Sequence, residues 1–207
     1  MSLTLIGPAG IYLGKLLAFG IQGLFDVSAV FAGFIVGAIR PVAILTGMHH
    51  AMTPIALQNF TDQGWDMLML MPMMFMANMA IAGSTFAIYF HVKTREQKSV
   101  VLSAAISGLL GITEPALFGV LTRYKKAFIA TTISSSVASA FIAFFGVRLY
   151  GYILSSIFSL PAYIGPYFIY ILMGVVLSLG LSFTLTYLMV VKNKGTEQSV
   201  PLVNQTR

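Results

Sequence analysis

The chain has 207 residues, of which 57% are hydrophobic and only 9% charged, whereas soluble chains carry about a quarter charged residues. The chain has a net charge of +6, and its basic residues lie mainly in short loops between apolar runs. This distribution disfavours nucleic acid as a partner. The chain contains no cysteine, which excludes disulfides and thiolate chemistry from it. The composition therefore indicates a polytopic membrane protein embedded in a lipid bilayer.

Five apolar segments approach or exceed the length of about 20 residues that crossing a bilayer requires. The predicted spans are 4–24, 27–45, 67–90, 128–145 and 164–191. A polar stretch, 46–66, follows the second span, and both an external loop and a second hairpin are open interpretations of it. We expect an all-α polytopic membrane protein with about five transmembrane helices and one or two re-entrant hairpins. The membrane transport domain would cover 1–191 and a cytoplasmic tail 192–207.

Residues 99–122 are predicted to form a re-entrant hairpin, because basic clusters flank them. The flanking residues are Lys93, Arg95 and Lys98 before the segment and Arg123, Lys125 and Lys126 after it. The positive-inside rule places both clusters in the cytoplasm, and a single crossing would separate them. Residues 111–115 (Gly-Ile-Thr-Glu-Pro) divide the segment into two halves that are each too short to span. Irregular backbone at this depth is expected to line a pocket.

Glu114 is the strongest candidate site residue. It is the only ionisable group between Lys98 and Arg123. A charged side chain at membrane depth costs about 2.5–3.5 kcal/mol on insertion scales, which makes it a functional candidate by default. A carboxylate can also accept hydrogen bonds from two sugar hydroxyls. The alternative is a structural carboxylate that accepts from backbone N–H groups of the hairpin.

His49 and His50 are the next candidates. Neighbouring residues on a helix point about 100° apart, which disfavours joint metal ligation, and no metal or cofactor is expected. One imidazole could bond a ligand hydroxyl, but two ordinary loop histidines are an equally open interpretation. Arg40 could reach the headgroups or pair with a carboxylate or ligand inside the protein. Asn78 would need a hydrogen-bond partner in apolar surroundings.

Two further patterns concern packing. Gly33 and Gly37 are four residues apart, a spacing that allows two membrane helices to approach closely. Seven methionines lie between 67 and 79. Soft packing against protein or lipid is favoured for them over a metal-thioether site.

Two motifs carry a resemblance to a known family. Residues 111–120 (Gly-Ile-Thr-Glu-Pro-Ala-Leu-Phe-Gly-Val) resemble the signature of enzyme IIC. Enzyme IIC is the sugar-translocating membrane domain of the bacterial phosphoenolpyruvate-dependent phosphotransferase system. Residues 46–50 (Thr-Gly-Met-His-His) resemble the histidine loop of the same proteins. The chain is most similar to the β-glucoside, sucrose and trehalose branch of the glucose superfamily, from about residue 1 to residue 191.

The resemblance implies a sugar site and a mechanism. Glu114 and either His49 or His50 would hold the sugar near the hydroxyl that is phosphorylated. Thr113, Arg40 and Asn78 complete the set of expected substrate-binding residues. The family moves sugar by an elevator-like shift of a transport domain against a dimerising scaffold. Enzyme IIB would donate the phosphoryl group, and enzyme IIA is the second expected partner. No catalytic residue is expected in this chain.

The chain also departs from the family pattern. Members usually have about ten spans and this chain has about half, so its partners could include a missing N-terminal half or a second copy of itself. We expect a sugar-binding and translocating permease component in the bacterial cytoplasmic membrane. The alternatives are an ion-coupled secondary sugar transporter with Glu114 as the proton site, a non-functional fragment of a permease, and an intramembrane hydrolase. The hydrolase lacks support because no HExxH motif is present.

Overall fold

The computed structural model describes residues 19–20, 23–25, 27–49, 70–151 and 153–192, and all regular structure in these ranges is helical. The α-helices are α1 (Ala29–Leu45), α2 (Leu70–Ile88), α3 (Arg95–Leu109), α4 (Glu114–Gly119), α5 (Lys125–Phe144) and α6 (Phe168–Thr186). Two 3-10 helices span Leu121–Arg123 and Ile157–Tyr163, and a π-helical segment, Tyr187–Lys192, continues α6.

Three helical segments of the described chain are long and apolar enough to cross a membrane. They are Leu70–Ile88, Lys125–Phe144 and Phe168–Val190, and α1 is a shorter apolar helix. This confirms the all-α polytopic prediction. The last helix begins later than the predicted 164, because Pro166 disfavours helical backbone at the residue before it. Most of the predicted first span, most of 46–66 and the tail from residue 193 lie outside the described residues.

Helix α2 lies at the centre of the described structure. Every residue in it except Phe86 is buried. A helix that is apolar around its whole circumference requires surroundings without water, and protein provides them here, because α1, α3, α5 and α6 all pack against α2. Its methionines belong to the main hydrophobic cluster, in agreement with the predicted packing role.

Small residues allow the helices to approach closely. A Cβ atom on Gly37 of α1 would lie 2.5 Å from the carbonyl oxygen of Ser135 on α5, and one on Gly33 would lie 2.7 Å from that of Ser139. The close packing predicted for this glycine pair is therefore confirmed. On the other side of the bundle, Ser178 of α6 donates a 2.6 Å hydrogen bond to the carbonyl of Met76 on α2.

The predicted hairpin is present as a helix, a break and a returning arm. Helix α3 leads in, residues 110–113 form the break, and α4 with the 3-10 turn returns. The rings of His91, before α3, and Tyr124, after the returning arm, lie 5.4 Å apart between centroids. The two basic clusters therefore lie at the same end of the hairpin. The first arm begins at Arg95 rather than at 99, because Thr94 caps it by accepting a hydrogen bond from the Gln97 N–H.

Candidate functional site

A cavity of about 260 Å³ opens where α1, α2, the hairpin break and the loop after α5 meet. Its lining residues are Arg40, His49, Met71, Met74, Asn78, Gly111, Thr113, Glu114, Leu154 and Ser155. The structure therefore brings together all the predicted site residues except His50, which lies outside the described residues. The ten lining residues come from four separate segments of the chain.

The hairpin break presents Glu114 to the cavity. Gly111 turns the chain with a φ of +91°, a conformation that suits glycine because it has no Cβ. Glu114 is the first residue of α4, and the next residue is a proline, which is well tolerated in the first turn of a helix. Thr113, just before α4, is buried with 4% exposure, whereas the Glu114 side chain is 45% exposed. The carboxylate is thus accessible to a ligand.

The turn after α1 brings His49 to the same point. The hydroxyl of Thr46 donates to the carbonyls of Val42 and Ala43, and Gly47 follows with a φ of +75°. His49 Nε2 lies 3.6 Å from Glu114 Oε1, and the His49 side chain is 14% exposed. This separation is longer than a direct hydrogen bond. The two groups are neighbours with room for a third atom beside them.

Arg40 contributes a positive charge to the cavity wall. It lies on α1, is 7% exposed, and interacts electrostatically with Glu114. Of the two interpretations of Arg40, a position inside the protein near a carboxylate is therefore the one that the structure supports. An opposite charge nearby offsets part of the cost of removing the Arg40 guanidinium from water.

The loop after α5 forms the remaining wall, which the sequence did not predict. Asn78 Nδ2 donates a 2.7 Å hydrogen bond to the Ser155 carbonyl, and Ser155 Oγ donates to the Met71 carbonyl at 3.2 Å. A Cβ atom on Gly111 would lie 2.9 Å from the same Ser155 carbonyl oxygen. The loop is thus held between α2 and the hairpin break. Asn78 supports this wall through its amide nitrogen.

The pair formed by His49 and Glu114 suits a ligand hydroxyl. A hydroxyl oxygen placed beside the pair can lie about 2.8 Å from both His49 Nε2 and Glu114 Oε1. It can accept a hydrogen bond from the imidazole N–H and donate one to the carboxylate, because a hydroxyl has both capacities. Met71, Met74 and Leu154 supply an apolar surface for the C–H groups of the same ligand. Within the described residues, no cluster of three or more His, Asp or Glu could hold a metal ion.

The fold and site define a polytopic membrane protein with a charged, ligand-accessible cavity at a broken hairpin. Comparison with known proteins specifies the family: the family described as "Phosphotransferase system, EIIC" matches residues 1–136. The chain therefore belongs to the EIIC family of the phosphotransferase system. No solved structure matches it.

Its curated relatives come from the predicted branch. The PTS system beta-glucoside-specific EIIBCA component of Bacillus subtilis is 37% identical over 185 residues, which cover 88% of this chain and 30% of that protein. The sucrose-specific EIIBC component of the same organism is 37% identical over 152 residues, covering 73% and 32%. The arbutin-, cellobiose-, and salicin-specific EIIBC component of Escherichia coli is 30% identical over 194 residues, covering 91% and 40%. The chain thus spans less than half the length of these relatives.

Proposed function

We propose that this chain is the sugar-binding and translocating component of a phosphotransferase-system permease for a glucoside or a disaccharide. The observation that carries the proposal is the 3.6 Å approach of His49 Nε2 and Glu114 Oε1 at the edge of a cavity with an apolar wall. A sugar offers hydroxyls to such a pair and C–H groups to such a wall. The relatives are named for β-glucosides, sucrose, arbutin, cellobiose and salicin, which supports this substrate class.

The proposal places the reaction partners on the cytoplasmic side of a bacterial cytoplasmic membrane. The relatives are named EIIBCA and EIIBC components, which supports enzyme IIB and enzyme IIA as partner domains or subunits. This chain has no cysteine, so a phosphocysteine would have to come from such a partner. The basic residues at the open end of the hairpin would face the cytoplasm. Further EIIC segments and a second copy of the chain are additional proposed partners.

Within the site, each residue has a proposed task. Glu114 would accept the hydroxyl proton in a hydrogen bond and orient its oxygen toward the incoming phosphoryl group. His49 would donate to the same oxygen. Arg40 would hold the carboxylate in place and keep the site's net charge low, while Asn78 and Thr113 would shape the wall. These are binding and positioning roles, so phosphoryl transfer itself stays with the partner.

Replacing the carboxylate tests the proposal directly. Glu114→Gln removes the charge while keeping the shape, and we expect it to weaken sugar binding at least about tenfold, because a hydrogen bond to a charged group contributes about 1.5–3 kcal/mol. Glu96→Gln is the matched control, since Glu96 is an exposed residue in the first turn of α3. The measurement is equilibrium binding of radiolabelled salicin, sucrose and trehalose to the purified full chain. Equal affinities for the wild type and Glu114→Gln would contradict the proposal.

A second experiment examines whether sugar uptake is coupled to phosphorylation of the sugar. Membranes containing the chain, from a strain without other sugar permeases, would be supplied with enzyme IIB, enzyme IIA, phosphoenolpyruvate and a cytosolic extract that transfers the phosphoryl group from phosphoenolpyruvate to enzyme IIA. We expect sugar phosphorylation that requires phosphoenolpyruvate and is lost in Glu114→Gln but retained in Glu96→Gln. Uptake that needs no phosphoenolpyruvate and collapses with a protonophore would indicate an ion-coupled carrier instead.

A further inference from the structure

Two depressions on the surface of the bundle meet at Leu102. One is an apolar groove of about 430 Å³ between α2, α3 and α6, with Phe86, Ile106 and Phe183 among its walls. The other is a polar depression of about 490 Å³ at the beginning of α3. Leu102 lines both of them, so they adjoin at this side chain.

The polar depression is strongly basic. Its lining includes Lys93, Arg95 and Lys98, and no carboxylate is found among the described residues that line it. Lys98 Nζ lies 5.4 Å from the centroid of the Tyr89 ring, which holds this ammonium group at the depression. Glu96, the neighbouring acidic residue, is exposed and does not contribute to the lining.

The groove and the basic depression lie along one face of α3. Lys98, Leu102 and Ile106 are spaced four residues apart, and such residues lie above one another on a helix. From Lys98 to Leu109, at the far end of the groove, the helical rise gives about 16 Å. The hydrocarbon core of a bilayer is about 30 Å thick, and one leaflet is half of that. The length along α3 is therefore close to the thickness of one leaflet.

We propose that the two depressions together bind one anionic phospholipid of the cytoplasmic leaflet. The phosphate would lie among Lys93, Arg95 and Lys98, and an acyl chain would occupy the groove past Leu102. Charge complementarity decides the class of lipid, because basic pockets on the cytoplasmic side of membrane helices attract anionic headgroups. A second apolar depression lies between α5 and α6 beside Phe141 and Met173; no basic side chain is among the described residues that line it, so it carries no such preference. This site is separate from the sugar cavity.

The test compares two double variants that remove the same charge. Lys93→Gln/Lys98→Gln acts on the proposed site, and Lys125→Gln/Lys126→Gln acts on the second basic cluster at the same end of the hairpin. In each pair one lysine is exposed and the other is partly buried. The full chain, delipidated in a neutral detergent, would be titrated with dioleoyl phosphatidylglycerol or dioleoyl phosphatidylcholine, and bound lipid would be counted by native mass spectrometry.

We expect the wild type to bind one phosphatidylglycerol about tenfold more tightly than phosphatidylcholine. Lys93→Gln/Lys98→Gln should abolish this preference, whereas Lys125→Gln/Lys126→Gln should retain it. Circular dichroism would show whether each variant is folded. No preference in the wild type, or an equal loss in both double variants, would overturn the proposal.

The acyl-chain part of the proposal is tested separately with Gly180→Leu. A Cβ atom on Gly180 meets no atom within 4 Å, so a leucine there would fill the groove without displacing a helix. We expect weaker binding of the dioleoyl lipid and unchanged binding of dihexanoyl phosphatidylglycerol, with Met173→Leu as the control. Equal binding of the dioleoyl lipid by Gly180→Leu and wild type would overturn the groove assignment.

Competition by inorganic phosphate at the concentration of the lipid would show a free-phosphate site instead. Loss of lipid when further EIIC segments are co-expressed would show that protein covers the groove.

Discussion

Helices α1 and α5 approach each other closely at Gly37, and we expect alanine at this position to force them apart. A Cβ atom there would lie 2.5 Å from the carbonyl oxygen of Ser135, 2.8 Å from Cα of Ser136 and 2.7 Å from Oγ of Ser139. Two of these three atoms belong to the backbone of α5, so rotation of a side chain cannot relieve the contact. One of the helices has to move.

The size of the effect follows from a matched pair of variants. Overpacking a well-packed contact costs about 1–3 kcal/mol. Alanine also favours a helix over glycine by about 1 kcal/mol, which partly offsets that cost in Gly37→Ala. Gly180→Ala on α6 has the same gain without the contact, because nothing lies within 4 Å of its Cβ position. The difference in free energy of unfolding between the two variants is therefore expected to be about 1–3 kcal/mol, with Gly37→Ala the less stable.

Unfolding of the purified, delipidated chain by sodium dodecyl sulfate, followed by far-ultraviolet circular dichroism, measures this difference. Sugar binding provides a second measurement, since Arg40 lies on α1 and His49 follows its end. Movement of α1 should weaken binding in Gly37→Ala and leave Gly180→Ala like the wild type. Equal stabilities of the two variants would refute the close approach, and unchanged binding in a destabilised Gly37→Ala would show that α1 moves without disturbing the cavity.

Two further predictions concern the wall formed by the loop after α5. Asn78→Leu keeps the branching and the number of side-chain heavy atoms but leaves the buried carbonyl of Ser155 without its 2.7 Å donor, at a cost of about 1–3 kcal/mol. We expect faster hydrogen exchange at 153–156 and weaker sugar binding; unchanged exchange would contradict this. Gly111→Ala places a Cβ on backbone with a φ of +91°, 2.9 Å from the same carbonyl, and should lower the free energy of unfolding by about 1–3 kcal/mol. Gly119→Ala, which meets no atom within 4 Å, is its control, and equal stabilities of the two variants would contradict the prediction.

Much of the fold could be predicted from the sequence because its causes act over short stretches. The positive-inside rule and the Gly-Ile-Thr-Glu-Pro break together predicted the hairpin, and the contact between His91 and Tyr124 confirms that its ends meet. The spans were found because burial in a bilayer requires long uncharged runs. The ends of the helices were less predictable, since a cap such as Thr94 at the hairpin helix α3 shifts a helix start by a few residues.

The sequence by itself determined the membrane class, the hairpin and five of the ten residues that line the cavity. A charged group at membrane depth is costly, so its presence in the sequence marks a functional candidate. Only the tertiary structure decided that Arg40 lies buried in the wall of the cavity that Glu114 also lines, rather than reaching the headgroups. The structure alone also revealed the wall at Ser155, which is 77 positions from its partner Asn78 in the sequence. That wall is made by a backbone carbonyl. Every residue carries a backbone carbonyl, so no pattern of side chains in the sequence could predict that this one forms the wall. The position of the carbonyl depends on how helices distant in the sequence pack.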